Sequence, residues 1–195
     1  MRTQPPPARR RGPVAQVRYR VRQFVGARLA RVDPVDRAAL LRAARVAPTL
    51  TALFKRMPIA YQWHALNVAR RLQAAGHTDP ILLQAALLHD MGKWDPATNA
   101  RVTLFVRSAI VLLGHMPGGG RFLRYLGSGP PSARSLRYAW YLQLNHPRLS
   151  ATLAAQGGAR REVVELIREH DRLAPPLPAA QRARLAALQA DDDES

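Results

Sequence analysis

The chain has no cysteine, which excludes disulfides and thiolate-held metals and leaves histidine and carboxylate as the only strong metal ligands. That donor set suits a hydrolytic ion better than an iron–sulfur cluster or a structural zinc. Lysine is almost missing too. Lys55 and Lys93 stand alone in a chain crowded with Arg, Ala, Pro and Leu, whose formal net charge is +17. Acidic residues are absent from Pro96 to Arg160, where Arg101, Arg107, Arg121, Arg124, Arg134, Arg137 and Arg148 accumulate. A positive field over the middle third follows, and three readings of it stay open. It can contact nucleic acid, it can make peripheral contact with an anionic membrane, or it is a solvated face on which Arg101, Arg107, Arg121 and Arg124 steer a small phosphorylated substrate.

Long apolar runs are lacking as well. The longest, Val102 to Leu113, covers about twelve residues where a bilayer needs roughly twenty, and Arg107 interrupts it, so no transmembrane helix is expected. Met1 to Gly12 is rich in Pro and Arg without an apolar core, which predicts a cytoplasmic protein with a flexible basic tail over residues 1–13 rather than a signal peptide. No segment alternates apolar and polar residues with a period of two, so the expected fold class is all-α. With 195 residues and 47% hydrophobic content, one sizeable core is the expectation.

Helical spacing recurs along the whole chain. Val14, Val17, Val21, Phe24, Val25 and Leu29 predict an amphipathic helix with a basic outer face. Asp33-Pro34 restarts the chain for a second helix, and Pro48 to Met57 is a third, making 14–56 an N-terminal helical extension. Pro58 to about Ala75 carries the stripe His64, Ala65, Val68 and Leu72. Asp79 and Pro80 open an apolar helix that carries His89 and Asp90 and that Gly92 is expected to end. Gly114 to Arg134, with Gly118-Gly119-Gly120 and Pro130-Pro131, reads as a mobile flap. One helix is expected to stop at Asn145 and another to begin at His146-Pro147. Val163, Val164 and Ile167 then share a face with His170 and Asp171, and Leu185, Leu188 and Asp192 share one near the end.

A lone histidine on an apolar stripe is usually a hydrogen-bonded core residue. Here His64, His89, Asp90, His146, His170 and Asp192 all sit at the ends or on the apolar faces of helices, and helices packed about one core would let them converge. Burying such groups is costly unless they are paired or bind a metal.

At these positions the sequence resembles the HD-domain phosphohydrolase superfamily. His64 in Trp63-His64-Ala65-Leu66-Asn67 is similar to that family's first histidine. Leu87-Leu88-His89-Asp90-Met91-Gly92-Lys93 is similar to its Leu-Leu-His-Asp-Ile-Gly-Lys core, and Leu188 to Asp192 to its closing Leu-x-x-Ala-Asp, with Asp191 where Ala is usual. His146-Pro147 and Glu169-His170-Asp171 resemble the extra ligands of two-metal members. The resemblance runs from Met57 to Asp192 and implies an HD-type metal-binding helical domain over 57–195. It implies one divalent ion at His64, His89, Asp90 and Asp192, with Asp191 a rival for the closing position. A second ion would be shared by Asp90 with His146 and His170, and Asp171 is a possible further ligand. Manganese, iron, cobalt, nickel and zinc all suit such donors. The implied reaction is hydrolysis of a phosphate mono- or diester, with Asp90 and Lys93 as the catalytic residues. The alternative is a catalytically weak binding module of the same fold that docks through its basic region.

Overall fold

The computed structural model describes residues 31–192, and among them there is no strand, only an isolated bridge between Trp94 and Arg101. The expected basic tail, the amphipathic helix over 14–30 and Asp193 lie outside the described residues. Nine α-helices are present among the described residues: α1 (Pro34–Ala43), α2 (Pro48–Arg56), α3 (Ile59–Ala74), α4 (Pro80–Leu88), α5 (Leu104–Gly114), α6 (Gly119–Gly127), α7 (Arg137–Gln156), α8 (Arg161–Glu169) and α9 (Ala179–Asp192). No helix among the described residues is long and apolar enough to cross a membrane.

Helix α4 is the hub. Asp79 caps it, its carboxylate accepting from the Ile81 amide at 3.0 Å, and Pro80 sits at the first turn, where its missing N–H costs nothing. Every residue from Leu82 to Leu88 is buried, as expected of a helix surrounded by others rather than lying on a surface. Helices α1, α3, α8 and α9 pack around it. Leu40, Leu41, Leu50 and Phe54 from α1 and α2 join the same core as Leu66, Leu72, Leu87, Leu166, Ile167 and Leu185. Each such side chain contributes about 1.5–3 kcal/mol on burial. A smaller cluster of Val102, Val106, Tyr141 and Leu142 joins α5 to the first half of α7.

Three local expectations are corrected. The helix that carries His89 and Asp90 ends at Leu88, before Gly92, and Met91–Lys93 forms a 3-10 turn. Gly92 is there for space. A Cβ on it would lie 2.6 Å from the His146 carbonyl oxygen and 2.7 Å from both Leu149 Cβ and the Ser150 nitrogen, while its own N–H donates to Ser150 Oγ at 2.8 Å. The turn therefore lies directly on α7.

Second, α7 runs without a break through Pro147. A proline leaves the carbonyl four residues earlier without its helical donor. That carbonyl, of Gln143, instead receives His146 Nδ1 at 2.7 Å. Buried residues on both sides of the proline, Tyr141 and Leu142 before it and Ser150, Ala151 and Ala154 after it, keep the two halves on one axis.

Third, the segment expected to be a mobile flap contains α6. Gly118, at φ +76°, makes the turn from α5, and Gly119 has no room for a side chain beneath the Leu113 carbonyl. The last carbonyls of α6 are satisfied by Arg137 of α7, which donates to Tyr125 at 2.9 Å and Leu126 at 3.3 Å. Gly118 thus serves the turn and Gly119 close packing.

Gly92→Ala should lower stability by about 1–3 kcal/mol, the usual cost of overpacking a rigid contact. Urea unfolding measures it, and a midpoint equal to that of the parent would show that the turn does not depend on its contact with α7.

Candidate metal centre

Five helices and the 3-10 turn deliver six ligand-type side chains to one place. His64 comes from α3, His89 and Asp90 from the junction of α4 with the turn, His146 from α7, His170 from the end of α8, and Asp192 from α9. His64 Nε2 lies 2.9 Å from Asp192 Oδ1 and 3.6 Å from Asp90 Oδ2. His89 Nε2 lies 3.3 Å from Asp192 Oδ1 and 3.5 Å from Asp90 Oδ1. On the other flank His146 Nε2 is 3.6 Å from Asp90 Oδ1 and 3.2 Å from His170 Nε2. Asp171, the most exposed of these carboxylates, lies 3.5 Å from His146 and 3.3 Å from His170. Of the two candidates near the end of the chain, Asp192 is the one that meets His64 and His89.

Two clusters result, His64 with His89 and Asp90, and Asp90 with His146 and His170, each with ligand atoms within 4.8 Å of one another. Asp90 belongs to both. Donors about 2.0–2.2 Å from a common ion in tetrahedral geometry lie roughly 3.3–3.6 Å from each other. The separations on both flanks fall near that range, so both clusters are capable of coordinating a divalent ion.

The imidazoles are aimed by the main chain. His89 Nδ1 lies 2.8 Å from the Ala86 carbonyl, His146 Nδ1 2.7 Å from Gln143, and His170 Nδ1 2.7 Å from Ile167. A carbonyl only accepts, so each Nδ1 carries the proton. In each case the carbonyl three residues back is short of a main-chain donor. Ala86 and Ile167 are in the last turn of a helix, and Gln143 has lost its donor to Pro147. With Nδ1 protonated, every neutral ring presents an Nε2 lone pair to the centre.

This explains which atoms are left over. Asp90 Oδ1 is fully buried and has no hydrogen-bond partner, and His89 Nε2, equally buried, has the Asp192 carboxylate beside it at 3.3 Å, without good hydrogen-bond geometry. Lys93 Nζ lies 2.7 Å from both Asp90 oxygens, but only Oδ2 accepts with hydrogen-bond geometry. The Nε2 atoms of His146 and His170 are two acceptors 3.2 Å apart. Two buried lone pairs held face to face are an arrangement that a cation between them would satisfy.

The proton affinities agree. Burial works against the Asp90 carboxylate, yet Lys93, His89, His146 and His64 hold it well below the usual range. Burial and the Lys93 charge push His146 well down, and burial and His89 push His170 down, so both rings are neutral ligands at physiological pH. Burial alone would lower His89, but Asp90 and Asp192 push it up to about 9. In the metal-free protein a proton stands where an ion would.

Four supporting roles escaped the sequence reading. Ser150 pins the turn through Gly92. Gln189 donates to the His170 and Arg172 carbonyls at 2.7 and 2.9 Å, locking α9 to the end of α8. Tyr61 donates its hydroxyl to the Val102 carbonyl at 2.6 Å, and burial and the charge of Asp90 both push its acidity away from neutral. Pro147 is the fourth. Tyr61, Ser150 and Gln189 sit three or four residues from a ligand-type residue and Pro147 sits beside one, which is the signal that could have found them. Arg101 and Arg107 both act on the Tyr61 hydroxyl, as Asp90 does, whereas Arg121 and Arg124 are exposed on α6. No family model, characterised protein or solved structure matches this chain.

Two predictions follow from this geometry. Pro147→Ala supplies the missing N–H to Gln143, which then competes with His146 Nδ1. Metal affinity at that flank should fall about 10-fold, as is usual when the hydrogen bond that orients a ligating imidazole is weakened, with no loss of helix stability. Calorimetric titration with a divalent ion checks it, and unchanged affinity would show that the proline does not orient the ring.

The second concerns pH. In the metal-free protein His89, with its folded pKa raised to about 9, contributes stability that is complete below its unfolded value near 6.5 and is lost as pH rises through 9. His146 and His170, with lowered folded values, contribute above about 6.5 and lose that contribution as pH falls. The melting temperature after chelation should therefore peak near neutrality and drop on both sides. A flat profile from weakly acid to weakly alkaline pH would contradict it.

Proposed function

We propose that this protein is a metal-dependent phosphohydrolase of the HD type, cleaving a phosphate mono- or diester of a small phosphorylated or nucleotide substrate. The observation that carries the reading is the position of Asp90, a buried carboxylate shared between two histidine clusters, one of which sets the Nε2 atoms of His146 and His170 against each other. A buried structural network would pair its donors with its acceptors. Here the Nε2 atoms of His146 and His170 face each other as two acceptors 3.2 Å apart.

His64, His89, Asp90 and Asp192 would hold one divalent ion, and Asp90, His146 and His170, with Asp171, a second. Bound there, manganese, iron, cobalt, nickel or zinc would supply Lewis acidity and a water acidic enough to attack phosphorus near neutral pH. The protein's own groups do the rest. Asp90 stays ionised because Lys93 and the imidazoles surround it. His146 and His170 stay neutral and so keep their lone pairs available. Lys93 keeps a positive charge on the floor of the site, where it offsets the charge of a phosphoryl group. Arg101 and Arg107, near enough to act on Tyr61, add to the field that draws an anionic substrate in.

Protein purified without a histidine tag should carry a divalent transition metal and release phosphate from some member of a panel of nucleotides and phosphomonoesters, with activity lost on chelation and restored by the ion. Asp90→Ala should lose both metal and turnover while its circular dichroism stays helical. Full activity in Asp90→Ala, or in chelated protein, would end the proposal.

A further inference from the structure

The α5–α6 hairpin turns large apolar side chains outward. On α5, Phe105 and Leu112 are 75% and 67% exposed, and Val111 lies beside them on the same face. In the connection Met116 is half exposed, and on α6 Phe122 and Tyr125 stack on one another, 6.5 Å between ring centroids, both residues exposed although Arg137 of α7 lies over the Tyr125 ring at 4.8 Å. The inner faces are already used, Val106 against Tyr141 and Leu142, and Leu126 buried beneath α6. The outward residues are therefore surplus to the core.

Their surroundings carry one sign of charge. Arg121 and Arg124 lie on the same outer half of α6 as Phe122 and Tyr125, and the chain has no acidic residue from Pro96 to Arg160 to neutralise them. Both helices, at 11 and 9 residues, are too short to span a bilayer. A basic helix with a separate apolar face lies in the interface instead.

We infer that the α5–α6 hairpin is a docking surface for an anionic lipid bilayer, with Phe105, Leu112, Phe122 and Tyr125 entering the headgroup and acyl boundary and Arg121 and Arg124 contacting lipid phosphates. Charge complementarity selects this occupant. A second copy of the chain would set arginines against arginines. A nucleic acid would satisfy the arginines and could stack on Phe122 and Tyr125, but it offers nothing to Val111, Leu112 and Met116, which an acyl layer solvates. This surface is independent of the metal centre and stands whether or not the hydrolytic reading does.

The absence of cysteine makes the test clean, because a single introduced thiol is the only one in the full-length chain. Leu112→Cys and Phe122→Cys, each carrying an environment-sensitive fluorophore, should shift to the blue with phosphatidylcholine vesicles that contain phosphatidylglycerol, and not with phosphatidylcholine alone. The same label at Val35→Cys on α1, an exposed position, should not respond. In flotation with the same vesicles, Arg121→Gln and Arg124→Gln should each weaken binding about fivefold, as expected for removing one arginine at an anionic surface. The double variant Phe105→Ser/Phe122→Ser changes only exposed positions and should lose most of the binding while remaining helical. Vesicle binding that survives the double variant, an equal response at Val35→Cys, or no vesicle binding at all would overturn the inference. Duplex or single-stranded nucleic acid binding without vesicle binding, or an apolar-face variant that abolishes only self-association, would overturn it as well.

Discussion

A carboxylate buried at the centre of a helical bundle is the constraint on which the rest of this structure depends. Asp90 is 1% exposed, and an uncompensated charge at that depth would outweigh the net stability of most domains. Everything adjacent is arranged to keep it ionised. Lys93 folds back on it through a 3-10 turn, four imidazoles face it or its neighbour Asp192, and the turn itself is pressed onto α7 at a position where only glycine fits. The protein accepts an electrostatically demanding core in exchange for a shared ligand between two clusters.

The orientation of that core comes from unfinished helices. A helix end, or a helix interrupted by proline, leaves carbonyls without donors, and His89, His146 and His170 each use one of them to hold Nδ1. The same hydrogen bond satisfies the backbone and fixes the tautomer. Pro147, which looks like a defect inside a 20-residue helix, is part of the ligand geometry because it frees the Gln143 carbonyl for His146. Ser150 and Gln189 extend the support outward, one fixing the turn and the other fixing α9, so that Asp192 approaches from a helix tied to the end of α8.

The arginine-rich middle of the chain divides between two neighbourhoods. Arg101 and Arg107 lie by Tyr61, which is itself one turn from His64, while Arg121 and Arg124 sit on the outer face of α6 beside aromatic side chains. The split follows from the hairpin, whose first helix begins near the centre and whose second lies out along α7. One compositional feature thus contributes both to the field near the two histidine–aspartate clusters and to the outer surface of α6.

Helical class, the hub helix with its Asp79-Pro80 start, and the clustering of His64, His89, Asp90, His146, His170 and Asp192 were legible in the sequence. Helical period and cap chemistry are local, and polar residues on apolar faces are conspicuous without any coordinates. The continuity of α7, the helix within the glycine-rich segment and the role of Gly92 were not, because each depends on an atom from a distant element: the buried faces that hold both halves of α7, Arg137 on the last carbonyls of α6, and the His146 carbonyl against Gly92. The choice of Asp192 for contact with His64 and His89 was likewise decided only in three dimensions, by the angle at which α9 packs on α3 and α4. The chain by itself determined which side chains could be ligands. Tertiary packing decided which of their lone pairs face one another, since that depends on the relative positions of helices far apart in sequence.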